Sequence, residues 1–407
     1  MVSGSETMYK PIVIADAVVD EGGKRITNEI DHSDPAFTRF FRPIKFYARY
    51  SSDISQVPLS ILNIPALSTI IHFAWAIGVD VKVGEIDKTY LEGIEKAKNL
   101  FKENPNYNTL SFNSKVTAGK VVANTFSGLG HEGLMFSGGL DSSSSYAKRW
   151  RENPKLITVW GLDIPLDWAD FWKMVLKTYG WMNQHTVESN TEEIYYKNDL
   201  WSLGSKVKEG YRGGYQFSIN TLGVCAPLTV AEGIGKLMLS STYPSREYGD
   251  ADAPWGENRV NFLVDECMRW ANVETGDVEC EYSTNEKVRH LLKPFFDSHG
   301  PLTIRSCGNL ARLTKVKDKW LNCNICDKCQ RVIGMLTVNG IDPNTCGFHV
   351  TPETYEKIKT DIVNESWNPE YLKYHWEEIK RNLPPVIVED FNGSNQFLEW
   401  LRGYNFV

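Results

Sequence analysis

The stretch LMFSGGLDSSSSYAKRW, Leu134 to Trp150, runs from apolar residues through two glycines and an aspartate into a row of serines. Leu-Met-Phe reads as the end of a strand and Ser-Tyr-Ala-Lys-Arg-Trp as the body of a helix. Between them stand Ser137, Gly138, Gly139, Leu140, Asp141 and Ser142. Glycines let the backbone turn tightly and let an anion approach its amides. A helix start adds partial positive charge at the same place. The hydroxyls of Ser137, Ser142 and Ser143 can donate to phosphate oxygens. Asp141 would repel a bare phosphate, but it fits as a ligand of Mg²⁺ that bridges to the phosphates. The turn is thus a candidate site for a nucleotide's pyrophosphate. The plain alternative is a Ser/Gly-rich strand-to-helix turn, common in α/β proteins. Neither G-x-x-x-x-G-K-[ST] nor G-x-G-x-x-G is present here.

Outward from the turn, strand and helix patterns alternate, which predicts a parallel α/β sheet. KLITVWGLDIP, from Lys155, and NQHTVESN, from Asn183, read as strands; FWKMVLKTYGW, from Phe171, reads as a helix. CAPLTVAEGIGKLMLSSTYPS, from Cys225, gives a helix and then the strand KLMLSS. Upstream, KPIVIADAVVDEGG and IKFYARY are strand-like, and TYLEGIEKAKNLFKENP is an amphipathic helix that stops at Pro105. TPETYEKIKTDIV and PEYLKYHWEEIKRNLP predict helices near the C-terminus. These patterns suggest an α+β N-terminal domain over residues 1–128, an α/β domain over 129–300, a cysteine subdomain over 301–345 and a helical tail over 346–407.

Four of the eight cysteines are Cys307, Cys323, Cys326 and Cys329. The last three form C-x-x-C-x-x-C, which lets three thiolates turn onto one centre with Cys307 returning as the fourth. A closed thiolate set is the ligand set of structural zinc. An iron–sulfur cluster uses similar spacing and stays open as a rival. Cys346 and His349 read as packing residues.

The 407 residues are 42% hydrophobic and 23% charged, an ordinary globular composition. The net charge of −7 disfavours a large nucleic-acid partner. No run of about 18 apolar residues predicts a membrane helix. The first residues, MVSGSETMYK, lack a signal-peptide pattern, so a cytoplasmic protein with reduced cysteines is expected.

Ser137-Gly138-Gly139-Leu140-Asp141-Ser142 resembles the PP-loop of the N-type ATP pyrophosphatases, the group of asparagine, GMP and NAD synthetases and several RNA-thiolating enzymes. A PP-loop followed by a late cysteine and C-x-x-C-x-x-C resembles the 7-cyano-7-deazaguanine synthase (QueC) family. The match spans residues 130–340 or so; residues 1–128 and the tail have no counterpart in the minimal enzyme. The resemblance implies the adenine nucleotide alpha-hydrolase-like sheet and a ligase that uses ATP and Mg²⁺ with a structural Zn²⁺ on the four cysteines. It implies catalytic roles for Asp141 and Ser142. It implies nucleotide binding by Ser137, Gly138, Gly139, Leu140, Asp141, Ser142 and Ser143, and by Asp163 after the second strand. The expected substrate is a 7-deazaguanine carboxylate, adenylated and then attacked by ammonia or by a partner protein's amine. Elaborated QueC-like proteins also occur in anti-phage gene clusters, so antiviral defence is an expectation. The N-terminal region would dock such a protein partner.

Other residues carry weaker expectations. Ser241, Tyr243, Arg246 and Glu247 follow a predicted strand at the sheet's carboxyl edge. The family's Lys-x-Glu helix start falls on Thr284 and Glu286, leaving Lys287 out of register. Ser283 to Glu286 also reads as a capping box. Lys328 and Arg331 flank the metal ligands and read as solvated or nucleotide-facing. Trp160, Trp168, Trp172 and Trp181 read as core packing. A sulfur transferase using Cys225 and a non-catalytic nucleotide-binding scaffold are the alternative functions.

Overall fold

In the computed structural model, the described residues are 9–32, 34, 44–104, 107–162, 164–197, 217–247, 259–307, 321–366, 369–385 and 389–406. The fold is α/β around one eleven-stranded sheet. Its strands are β1 (Ile12–Ile14), β2 (Val18–Asp20), β3 (Arg25–His32), β4 (Ile44–Tyr50), β5 (Val81–Asp87), β6 (Val116–Val122), β7 (His131–Met135), β8 (Lys155–Trp160), β9 (Gln184–Ser189), β10 (Ile234–Ser240) and β11 (Glu274–Val278). The order is β11-β10-β7-β8-β9-β4-β3-β1-β5-β6, with β2 paired to β3.

The half carrying the serine-rich turn is parallel throughout. Leu134 pairs with Leu156, Ile157 with His185, Met238 with Leu134 and Ser240 with Val278. Chain order within it is third, second, first, fourth, fifth, a doubly wound arrangement. Its connections reverse direction between β7 and β10, and ligands bind at the carboxyl ends of strands beside such a switch point. The turn after β7 lies there.

The same sheet continues into the residues before 128. β4 runs antiparallel to β9, pairing Ala48 with Ser189 and Tyr50 with Val187. One apolar core spans both halves, from Ile12 and Trp75 to Leu237 and Trp270. The helix Ile64–Ile77 is buried on nearly every face in that core, which explains its unbroken apolar sequence. Asp87 caps the next helix, Lys88–Glu103, accepting from Tyr90 N at 3.0 Å. The same carboxylate takes Ala271 N at 2.9 Å and Asn124 Nδ2 at 2.9 Å, tying the first half to the second.

A further core joins the four cysteines to the helices Asp327–Val338, Pro352–Val363, Pro369–Arg381 and Ser394–Gly403. No helix among the described residues is long and apolar enough to cross a membrane.

Candidate nucleotide site and thiolate centre

β7 ends at Met135, and Phe136 still donates its amide to Ile157 O at 2.8 Å. Thr158 Oγ1 donates to Phe136 O at 2.7 Å, so the strand end is fixed from β8. The chain then reverses at Gly138, where φ is +74°. A Cβ there would meet the Tyr179 ring at 2.3–2.6 Å. Tyr179 Oη lies 3.3 Å from Gly138 O and 3.0 Å from Thr303 O, and burial raises its phenol pKa. Gly138→Ala therefore combines backbone strain with a ring clash. It is expected to cost about 1–3 kcal/mol, read as a lower urea midpoint; an unchanged midpoint would contradict this geometry.

Gly139 is the N-cap of the helix Leu140–Arg149, and no side chain caps that turn. The first amides of a helix have no intrahelical carbonyl and favour an anion. Gly139 N donates to Ser137 Oγ at 3.2 Å, and Ser142 Oγ donates to Gly139 O at 3.1 Å. The helix is pinned from behind by Glu279, whose buried carboxylate takes Ser145 Oγ and Arg149 Nη1.

Asp141 stands on the cleft with its side chain 24% exposed. Its Oδ1 accepts from Thr284 Oγ1 at 3.2 Å and from Lys287 Nζ at 3.3 Å. Lys287 is fully buried and also donates to Ser241 O. Oδ2 of Asp141 makes no hydrogen bond among the described residues. A carboxylate oxygen at a cleft wall suits a hard divalent cation such as Mg²⁺.

Asp277 feels the charge of Lys287 and neighbours the buried Asp265. Burial pushes Asp277 up to about 6 and Asp265 well above the usual carboxylate range. A carboxyl raised in this way contributes stability that is full below its unfolded value near 4 and is lost as pH rises through about 6. Asp277→Asn should therefore flatten the fall in melting temperature between pH 4 and 6; an identical pH profile would contradict the assignment.

Asp141 and Thr284 line one cavity of about 420 Å³, whereas Gly138 and Lys287 lie behind its wall. Ser137, Gly139, Leu140 and Ser142 also line it. Ile157, Val159, Leu162 and Leu239 add apolar surface to the same cavity. Two hydroxyls there, Thr221 Oγ1 and Ser240 Oγ, are buried without a hydrogen-bond partner.

Several expected residues fall elsewhere. Ser143 is fully buried and does not line the cavity. Asp163 lies outside the described residues. Neither Tyr243 nor Arg246 lines the cavity; Arg246 instead bonds Glu286 Oε2 at 2.7 Å and Glu281 O at 2.9 Å. The side chain of Glu247 lies outside the described residues. Ser283 and Glu286 form the capping box that the sequence suggests. Trp160 and Trp172 stack at 5.4 Å inside the protein, and Trp168 packs on Phe171, whereas Trp181 is 67% exposed. Cys225 is sealed in the core, its thiol pKa raised by burial. Sequence reading passed over Arg305 and Tyr179 and set Lys287 aside. The available signal for Lys287 was helical spacing: three residues past Thr284, it returns to the same face.

The four cysteines form a second centre. The Sγ atoms of Cys307, Cys323, Cys326 and Cys329 all lie within 4.8 Å of one another and are buried. Cys307 to Cys326 and Cys323 to Cys329 both measure 3.9 Å. A tetrahedron with Zn–S of 2.3 Å has S···S edges of about 3.8 Å. This set can hold one metal ion such as zinc. A four-iron cluster puts each cysteine on its own iron and spreads the sulfurs further. Cys326 N donates to Cys323 Sγ at 3.3 Å, and hydrogen bonding from Cys307 lowers the Cys323 and Cys326 thiols. Cys346 and His349 are not part of the set.

Asn322 fastens this centre to the cleft. Its Oδ1 accepts from Ser306 N at 2.7 Å and Cys307 N at 3.2 Å; its Nδ2 donates to Ile304 O at 2.7 Å and Gly347 O at 3.0 Å. Lys328 and Arg331, from the helix that starts inside the thiolate set, line the cavity too. No protein-family model, no curated protein and no solved structure matches this chain, so these geometries are what the functional reading rests on.

Proposed function

We propose that the chain is an ATP-dependent adenylating enzyme of the PP-loop class, QueC-like, which joins a carboxylate to an amine and releases AMP and pyrophosphate. The observation that carries this is one cavity lined both by the uncapped helix N-terminus with Ser137, Ser142 and Asp141 and by the aliphatic Ile157, Val159, Leu162 and Leu239. The polar groups would suit an anion and the aliphatic ones a heterocyclic ring. The resemblance to 7-deazaguanine enzymes supplies the preferred acid, a 7-deazaguanine carboxylate.

In this reading a carboxylate oxygen attacks the α-phosphorus, and the bond to the α,β-bridging oxygen breaks. Pyrophosphate leaves against the loop amides and Ser142 Oγ, which offset the charge it gains, while Lys287 acts from behind by holding Asp141. Asp141, through Oδ2, would hold a divalent cation, whose charge would offset that of the phosphates. The amine, ammonia or that of a partner protein, then attacks the acyl carbon and expels AMP, losing one proton. The chain's contribution is orientation and charge rather than a covalent intermediate on the enzyme.

The test is mass spectrometry of the chain incubated with ATP, candidate carboxylates, ammonia and candidate acceptor proteins. AMP and pyrophosphate should form in equal amounts only with a carboxylate present, alongside an amide, a nitrile where a second ATP activates and dehydrates that amide, or an adduct on a protein. ADP and phosphate, or a thio-product, would contradict the proposal.

A further inference from the structure

Arg305, on the segment leading into the thiolate centre, contributes to the lining of the cavity beside the loop. It is half-buried and stands two residues before Cys307. Its main-chain N–H donates to Gly138 O at 2.6 Å, and its Nε donates to Ser137 O at 2.7 Å. These two bonds set the guanidinium beside the loop. Its Nη1 and Nη2 make no hydrogen bond or ion pair among the described residues. Lys328, between Cys326 and Cys329, stands exposed at the rim, and its ammonium is likewise without a partner among them. Arg331 is different: Asp327 holds it through Nε at 3.0 Å and Nη2 at 2.9 Å. The cavity lining therefore carries, besides Asp141, a guanidinium with an open Nη edge and a lysine ammonium, in a chain whose net charge is −7.

A guanidinium held by its Nε, with its Nη edge left open, matches an oxyanion that accepts two parallel hydrogen bonds. We propose that Arg305, assisted by Lys328 at the rim, binds the β- and γ-phosphates and then the departing pyrophosphate. The thiolate centre thereby delivers a cation into the nucleotide site. The segment that carries Arg305 is fixed by Asn322 at Ser306 and Cys307, so ligation of Cys307 sets where the guanidinium stands. This inference rests on the adenylation reading and adds to it a phosphate-binding residue that the loop motif does not contain.

The experiment is equilibrium binding of inorganic pyrophosphate and of AMP, each with magnesium, to wild type, Arg305→Ala, Arg305→Lys and Lys328→Ala. Zinc content and melting temperature are recorded alongside. Arg305→Ala should weaken pyrophosphate binding about tenfold to a hundredfold and change AMP binding less than about twofold, with zinc retained. Arg305→Lys should recover part of the loss. Lys328→Ala should weaken pyrophosphate about threefold, because an exposed charge is screened. Unchanged pyrophosphate binding in these variants would overturn the proposal, as would an equal loss of AMP binding in Arg305→Ala, which marks a scaffolding role. Should Arg305→Ala fail to fold, Lys328→Ala decides, since its exposed side chain can be removed without disturbing packing. A wild-type chain that binds neither ligand would instead overturn the adenylation reading.

Discussion

Replacing Asp141 with asparagine is expected to slow pyrophosphate release from ATP by about a thousandfold while the fold survives. The substitution keeps the side chain's shape and its bond to Thr284 but removes the charge that would hold a cation on Oδ2. A metal bridging phosphates supplies several kcal/mol of charge stabilisation, and each 1.4 kcal/mol is about a factor of ten in rate. Stability should fall by only about 1 kcal/mol, because the Asp141–Lys287 pair is partly exposed on the carboxylate side. Lys287 also keeps Ser241 O and the nearby Asp277 charge. The check is a pyrophosphate-release assay beside a thermal melt. Unchanged turnover would remove Asp141 from the site; loss of folding would make it a structural residue.

The second large effect concerns the metal. The purified chain should carry about one zinc and no acid-labile sulfide, and Cys326→Ser should lose most of that zinc. Structural zinc contributes about 10–16 kcal/mol to small zinc domains, so losing one of four ligands should cost several kcal/mol. The loss should centre on the C-terminal core, where the cysteines pack with Val332, Leu336 and Phe348. It should also reach the cleft, because Ser306 and Cys307 hang on Asn322 and Arg305 bonds the loop. Metal analysis and a melt with and without chelator settle this. Abundant sulfide would replace zinc with a cluster; a chelator-insensitive melt would make the centre dispensable.

The serine-rich turn was legible because its chemistry is local. Strand, two glycines and helix start sit within a few residues, and their positions follow from backbone sterics. β8, β9 and β10 were legible from apolar and β-branched runs, and the cysteine set from its spacing. β11 was not, because Glu-Thr-Gly-Asp-Val lacks an apolar run; its pairing with β10 and its burial make it a strand. The pairing of β4 with β9 joins residues far apart in the chain, and edge pairing of that kind leaves no local mark. Arg305 was invisible for the same reason, since its partner Ser137 lies 168 residues away. Lys287 was set aside because a motif register pointed at Thr284, while one helical turn carries the next residue on that face to the same spot.

The most direct measurement is the structure of the chain bound to a non-hydrolysable ATP analogue with magnesium. The β- and γ-phosphates should lie against the amides of residues 138–142, with the metal on Asp141 and the Nη edge of Arg305 on the phosphate oxygens. A triphosphate seated elsewhere, or a turn that keeps the analogue out, would contradict this placement.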